Sequence, residues 1–156
     1  MDLDQQLSVL LEEAPQDGST PAAIAAIAPL LKQIALQLRH REYYIRQSLD
    51  QQWMLTELVQ RGQTETTKTV IYAFPSLNDA ASGAKGAQDP RLMALPVPVT
   101  HILFQMLALE GVDSIIFVET PGDPNSGVEV QRSILQALVR EQLIQLSSPP
   151  IPPDIA

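Results

Sequence analysis

Four apolar residues in a row, Ile115-Ile116-Phe117-Val118, constrain this chain more than any other feature. A strand that does not alternate polar and apolar residues has to be covered on both faces, which places it inside a layered α/β domain. The residues after it read Pro121-Gly122-Asp123-Pro124-Asn125-Ser126-Gly127, then Val128-Glu129-Val130 and an amphipathic run to Val139. That order predicts a buried strand, a tight loop and a helix. The stretch offers no nucleophile, no metal cluster and no phosphate cradle.

The remaining pattern supplies the partners such a strand needs. Residues 2–14 predict a short helix capped by Asp2 or Asp4, with Leu3, Leu7, Leu10 and Leu11 on one face and Pro15 ending it. Ser19-Thr20-Pro21 predicts the start of a second helix, a hydroxyl cap followed by proline. Ile24, Ile27, Leu31, Ile34 and Leu38 then recur at spacings of three and four, with Pro29 expected to kink or delay the helix. Arg39-His40-Arg41 and Arg46 suit the C-terminal half of a helix, where cations oppose the dipole. Ile45, Leu49 and Trp53 would let that helix continue. The adopted reading instead pairs residues 53–60 with the β-branched strand 67–74 as a hairpin.

Beyond Pro75, Ser76 caps a short helix, and residues 82–91 read as a mobile loop. Residues 92–99 carry Pro96 and Pro98, which cannot donate ladder bonds, so this strand belongs at a sheet edge. Thr100 caps a helix bearing Ile102, Leu103, Met106, Leu107 and Leu109, stopped by Glu110-Gly111. The last helix carries Ile134, Leu135, Leu138, Val139, Leu143 and Leu146, and a polyproline-like tail follows. The expected fold is α/β: a small mixed sheet, made of a hairpin and two further strands, packed with helices. An N-terminal helical arm spans residues 1–50, the α/β domain 51–146 and the tail 147–156.

From Tyr72 to Val139 the pattern resembles the N-terminal domain of the SseB family. Tyr72-Ala73-Phe74-Pro75-Ser76-Leu77, Leu92-Met93-Ala94-Leu95-Pro96 and Pro121-Gly122-Asp123-Pro124-Asn125-Ser126-Gly127-Val128-Glu129 carry the likeness, which covers a little under half of the chain. The resemblance implies a small adaptor-like domain without catalytic residues. The Gln-rich, cysteine-free, proline-tailed make-up is also similar to small cyanobacterial accessory proteins such as the carboxysome assembly factor CcmS. That second likeness implies a role in assembly, for example of the carboxysome shell.

Composition narrows the functional classes. A net charge of −8 over 156 residues argues against nucleic acid and anionic membrane surfaces as partners, because both need clustered Lys and Arg. No apolar run reaches the ~18–20 residues that cross a bilayer. The absence of cysteine removes thiol chemistry and disulfides, and fits a reducing cytoplasm. His101 with Asp113 or Glu110 is the one pairing that suggests proton transfer, and a histidine beside a helix start explains it more simply. The chain therefore reads as a non-enzymatic accessory, adaptor or assembly-chaperone factor without cofactor or metal. It would bind an apolar or helical segment of another protein, or self-associate through the arm, using Ile27, Leu31, Ile34, Leu38, Tyr43, Tyr44 and Trp53. Tyr and Trp are enriched at binding hot spots, and here the only Trp lies near two of the three Tyr. The alternative is a small-molecule or anion-binding regulator using Gly122, Asn125, Ser126 and Gly127 ahead of a helix N-terminus.

Overall fold

The computed structural model describes residues 2–15, 17, 20–50, 52–60, 66–82 and 92–147. Its elements run α1 (Leu3–Glu13), α2 (Thr20–Leu36), β1 (Glu42–Ser48), β2 (Thr56–Gln60), β3 (Thr66–Phe74), α3 (Leu77–Ser82), β4 (Leu92–Pro98), α4 (Val99–Met106), β5 (Ser114–Thr120), β6 (Asp123–Gln131) and α5 (Arg132–Ser147). The fold is α/β, with a mixed sheet in the order β4-β1-β3-β5-β6 and β2 paired to β3. β3 and β5 are parallel, while the other pairs are antiparallel.

Local chemistry accounts for the element starts. Asp2 accepts the Gln5 N–H at 2.8 Å while Gln5 Oε1 accepts the Asp2 N–H at 3.0 Å, a reciprocal capping box. The α2 start is held by the Asp17 carboxylate, which takes both the N–H and the hydroxyl of Thr20. Helix α2 runs through Pro29. Both Pro29 and Ala25 are exposed, so the carbonyl left without its usual donor four residues back lies on the side that water reaches. Ser76 accepts the Asp79 N–H at 3.1 Å and caps α3 as its sequence predicts.

One core joins the N-terminal helices to the sheet. Leu3 and Leu7 of α1, Ile27 and Leu31 of α2, Ile102 and Leu103 of α4 and Leu135 of α5 pack with Tyr43, Ile45, Ile71, Ile115 and Phe117. Residues 1–50 are therefore no separate arm. They provide a large part of the layer covering one sheet face, and their last segment is the internal strand β1. On the opposite face the short α3 brings Ala80 against Phe74 and Val118, with Tyr44, Tyr72 and Ala94 beside them. As its unbroken apolar run requires, β5 is buried on both faces.

Several expectations hold. Of the expected 53–60 and 67–74 pairing, residues 56–60 pair antiparallel with 66–70 as β2 and β3, while Trp53 bridges Gln47 of β1; β4 lies at an edge, paired only to β1. Val99 donates its N–H to Arg41 O at 2.9 Å, so the odd residues of β4 face β1 and the missing N–H groups of Pro96 and Pro98 point outward.

Two strands depart from expectation. The Arg39–Ser48 segment does not continue a helix: Tyr43, Ile45 and Gln47 alternate into the core as β1. The Pro121–Gly127 stretch does not lead into a helix either. Pro121 and Gly122, the latter at φ 81°, make a two-residue turn, and β6 returns antiparallel to β5. Helix α5 begins only at Arg132. The loop residues 83–91 and the tail residues 148–156 lie outside the described residues.

Gly127 sits where β6 crosses beneath Ile116, and an added Cβ would meet Ile116 Cγ2 at 2.5 Å. Gly127→Ala is expected to cost about 1–2 kcal/mol through overpacking. In denaturant unfolding, Ile116→Ala in the same chain should make the two changes less than additive.

Candidate functional site

The residues expected to receive a partner are largely spent inside the molecule. Ile27, Leu31, Leu38 and Tyr43 are buried, with Leu31 and Tyr43 at 0% exposure. Ile34 and Trp53 pack half-buried against the same core. Tyr44 lies across the sheet, beside Phe74 and Val118. The stripe on α2 is thus packed into the core of its own chain, where α2 meets α1, α4 and α5.

The expected anion loop is also closed. The Gly122 N–H donates to the Asp79 carboxylate, at 3.0 and 3.2 Å from its two oxygens. Ser126 Oγ accepts the Thr120 N–H at 2.8 Å and donates to Asp123 O at 2.8 Å. Asn125 and Gly127 lie within β6, away from any helix N-terminus.

His101 does not meet an acid. Its Nε2 lies 2.9 Å from Gln6 O, while the Asp113 carboxylate accepts the Thr69 N–H at 2.8 Å. Gln6, 1% exposed, ties three elements together. Its Oε1 accepts the Thr100 N–H and hydroxyl, and its Nε2 donates to Arg41 O. The first turn of α4 is thus satisfied from α1, where the sequence suggested that Thr100 caps its own helix.

A second polar knot lies at the carboxyl end of β5. Glu119 Oε2 accepts the Arg39 N–H at 3.0 Å and the Tyr43 hydroxyl at 3.2 Å. His40 Nε2 lies 2.8 Å from Glu119 O, a carbonyl that only an N–H can serve. Burial, reinforced by the adjacent Glu119 carboxylate, pushes the Tyr43 phenol far above its ordinary pKa. Glu119 Oε1 is buried without a hydrogen-bond partner. Tyr43 and Phe117 meet edge to face at 5.0 Å, so this knot also positions two central rings.

A polar cleft of about 490 Å³ opens at the amino ends of β3 and β5 and the start of α5, lined by Lys68, Asp113, Ser114, Arg132, Ser133 and Gln136 among others. Lys68 pairs with Glu129, which also accepts the Ser114 hydroxyl at 2.5 Å. The Lys68 and Ser114 hydrogen bonds hold the Glu129 carboxyl below its ordinary range. A carboxylate so stabilised is a weak base, and it leaves Ser114 unactivated. Arg132 donates to the carbonyls of Met106 and Leu107, at 3.0 and 3.1 Å, and closes the end of α4. Among the described residues no three metal-ligating side chains gather, and no helix is long and apolar enough to cross a membrane.

Exposed aliphatic side chains also gather along α5 and β6. Along α5, Leu135, Val139 and Leu143 face the core, whereas Ile134 (55% exposed), Leu138 (39%) and Ile144 (57%) face outward. Val128 on β6 is exposed as well. The Arg132 N–H donates to Asp113 O at 2.9 Å, which makes the even residues at this end of β6 face β5. Gly127, Glu129 and Gln131 then turn their backbone groups outward along the part of β6 that follows Pro124. The sequence places all the α5 aliphatics in one set; resolving them by angle around the helix separates Ile134 and Leu138 from the core stripe.

Comparison of this mixed-sheet α/β chain with protein-family models, with curated proteins and with solved structures finds no match.

Two measurements probe the polar groups. Glu119→Ala should destabilise the chain by about 2–3 kcal/mol, because it strands the Tyr43 hydroxyl and the Arg39 N–H, while Tyr43→Phe should cost about 1 kcal/mol. Because the folded-state pKa of Glu129 is depressed, its stabilisation is present above the unfolded carboxylate pKa and lost as pH falls through the folded value. Its partial exposure limits the effect, so Glu129→Gln should cost about 0.5 kcal/mol near neutrality. Urea melts should show that difference closing between about pH 5 and about pH 3.

Proposed function

We propose that this chain is a non-enzymatic protein–protein interaction factor of accessory, adaptor or assembly-chaperone type, acting through the β6–α5 side of the molecule. The observation that carries this reading is the outward-facing set Ile134, Leu138 and Ile144 with Val128, adjoining the edge strand β6, which beyond Pro124 has no further proline. An edge strand offers main-chain hydrogen bonds to an extended segment, and flanking aliphatics give that segment apolar contacts. The partner on this reading is an apolar segment of another protein that adds a strand to β6 and rests against α5. The adaptor character implied by the SseB resemblance points the same way.

Charge substitution of Ile134 or Leu138 should abolish capture of that partner from a lysate of the native host, while circular dichroism and the melting temperature stay native. Equal capture by wild type and by both variants would refute the surface.

A second reading, a small-molecule or anion-binding regulatory domain, has one observation in its favour. The cleft brings Lys68 and Arg132 to the start of α5, although Glu129 and Asp113 share the space. A thermal shift with phosphate or nucleotides that is lost in Lys68→Ala would support it, and no shift at millimolar concentration would remove it.

A further inference from the structure

The sheet face opposite α1, α2, α4 and α5 carries a cation that has no counter-ion among the described residues. Arg46 projects from β1 on the side away from Tyr43, Ile45 and Gln47, and its guanidinium carbon lies 4.7 Å from the centre of the Phe74 ring. Phe74 stacks with Tyr72, the ring centres 6.1 Å apart and the planes 26° from parallel. The two rings follow each other along β3, and Tyr72 pairs directly with Ile116 on β5.

Arg46 is half-buried, and burial lowers its pKa from the ordinary guanidinium value. Among the described residues its guanidinium has no acceptor for any of its five N–H donors. Lys32 pairs with Asp4, Lys68 with Glu129 and Arg132 with two helix carbonyls, while Arg140 on α5 is exposed to water. Glu42 lies on the same side of β1 but four residues away, roughly 13 Å along an extended strand. A hollow of about 10 Å³ adjoins Arg46, lined by Met54, Thr56 and Tyr72. That is room for about one oxygen atom.

A guanidinium that has lost hydration without gaining an acceptor is best completed by a planar carboxylate. The hollow admits a single oxygen, so a small acid would find little enclosure in it. The ligand has to bring its own surface. The geometry points to this face as a docking site for an acidic peptide segment, one of whose Asp or Glu carboxylates binds Arg46 while its neighbours lie over Tyr72 and Ile116. The net charge of −8 opposes such a partner at long range, an effect screened beyond about 8 Å at physiological salt. Contact with Arg46 then decides the outcome. This surface is distinct from the β6–α5 side and stands or falls apart from it.

Fluorescence polarisation on the full chain at physiological ionic strength provides the test. The probes are a labelled peptide alternating glutamate and valine, a matched glutamine–valine peptide, and acetate as free competitor. Wild type should bind the acidic peptide at least about tenfold more tightly than its neutral match. Arg46→Gln should lose that preference, Arg46→Lys should keep only part of it, and Ile134→Asp should leave it unchanged. Should Arg46→Gln fail to fold by circular dichroism, Arg46→Lys and Tyr72→Ala carry the comparison, each expected to weaken the preference. The proposal is overturned if wild type binds the two peptides equally, if no Arg46 variant weakens the acidic one, or if acetate displaces it at concentrations equal in carboxylate.

Discussion

The burial of one sheet face under four helices is the constraint on which the rest of the molecule depends. A chain with only 4% aromatic residues has to build its interior from aliphatic side chains, each worth on the order of 1.5–3 kcal/mol when fully buried. Leu31, Ile45, Ile71, Ile102, Leu103 and Ile115 do this together, around the edge-to-face contact of Tyr43 with Phe117. Because α1 and α2 are consumed in that layer, the apolar stripe of the N-terminal half is unavailable to partners. What remains outside is the back of α5, the edge of β6 and the thinly covered opposite face. The functional surfaces are defined by what the core leaves over.

The core also depends on two buried polar groups that come from far along the chain. Gln6 satisfies the start of α4 and the carbonyl before β1, and Glu119 holds the turn between α2 and β1. Both act on the Arg39–Glu42 corner, where a helix gives way to a strand. That corner carries three basic or aromatic-adjacent residues that look helical in isolation. Its geometry is set instead by a donor about 35 residues distant, Gln6, and an acceptor about 80 residues distant, Glu119.

These distances explain what the sequence made legible. The strand 114–119, the β2–β3 hairpin, the proline-bearing edge strand and the helix starts at Asp2 and Ser76 rest on local signals: unbroken apolar runs, β-branched content, proline and caps. All of these were readable. β1 and β6 were not, because each competes with a plausible helix over the same residues. Val128-Glu129-Val130-Gln131 does alternate with period two, yet the run continuing into Leu135 and Leu138 masks it. The candidate interaction residues shifted for the same reason. A helical stripe reveals that it must be covered, but not whether its cover belongs to the same chain, as α1, α4 and α5 do for α2.

The two margins of the sheet differ in kind. Pro96 and Pro98 point their donor-less nitrogens out of β4, leaving that border with few groups another strand could use. Past Pro124 the β6 border keeps the outward N–H and C=O groups of Gly127, Glu129 and Gln131. A strand laid beside those three residues would find partners for its backbone there, and few along β4.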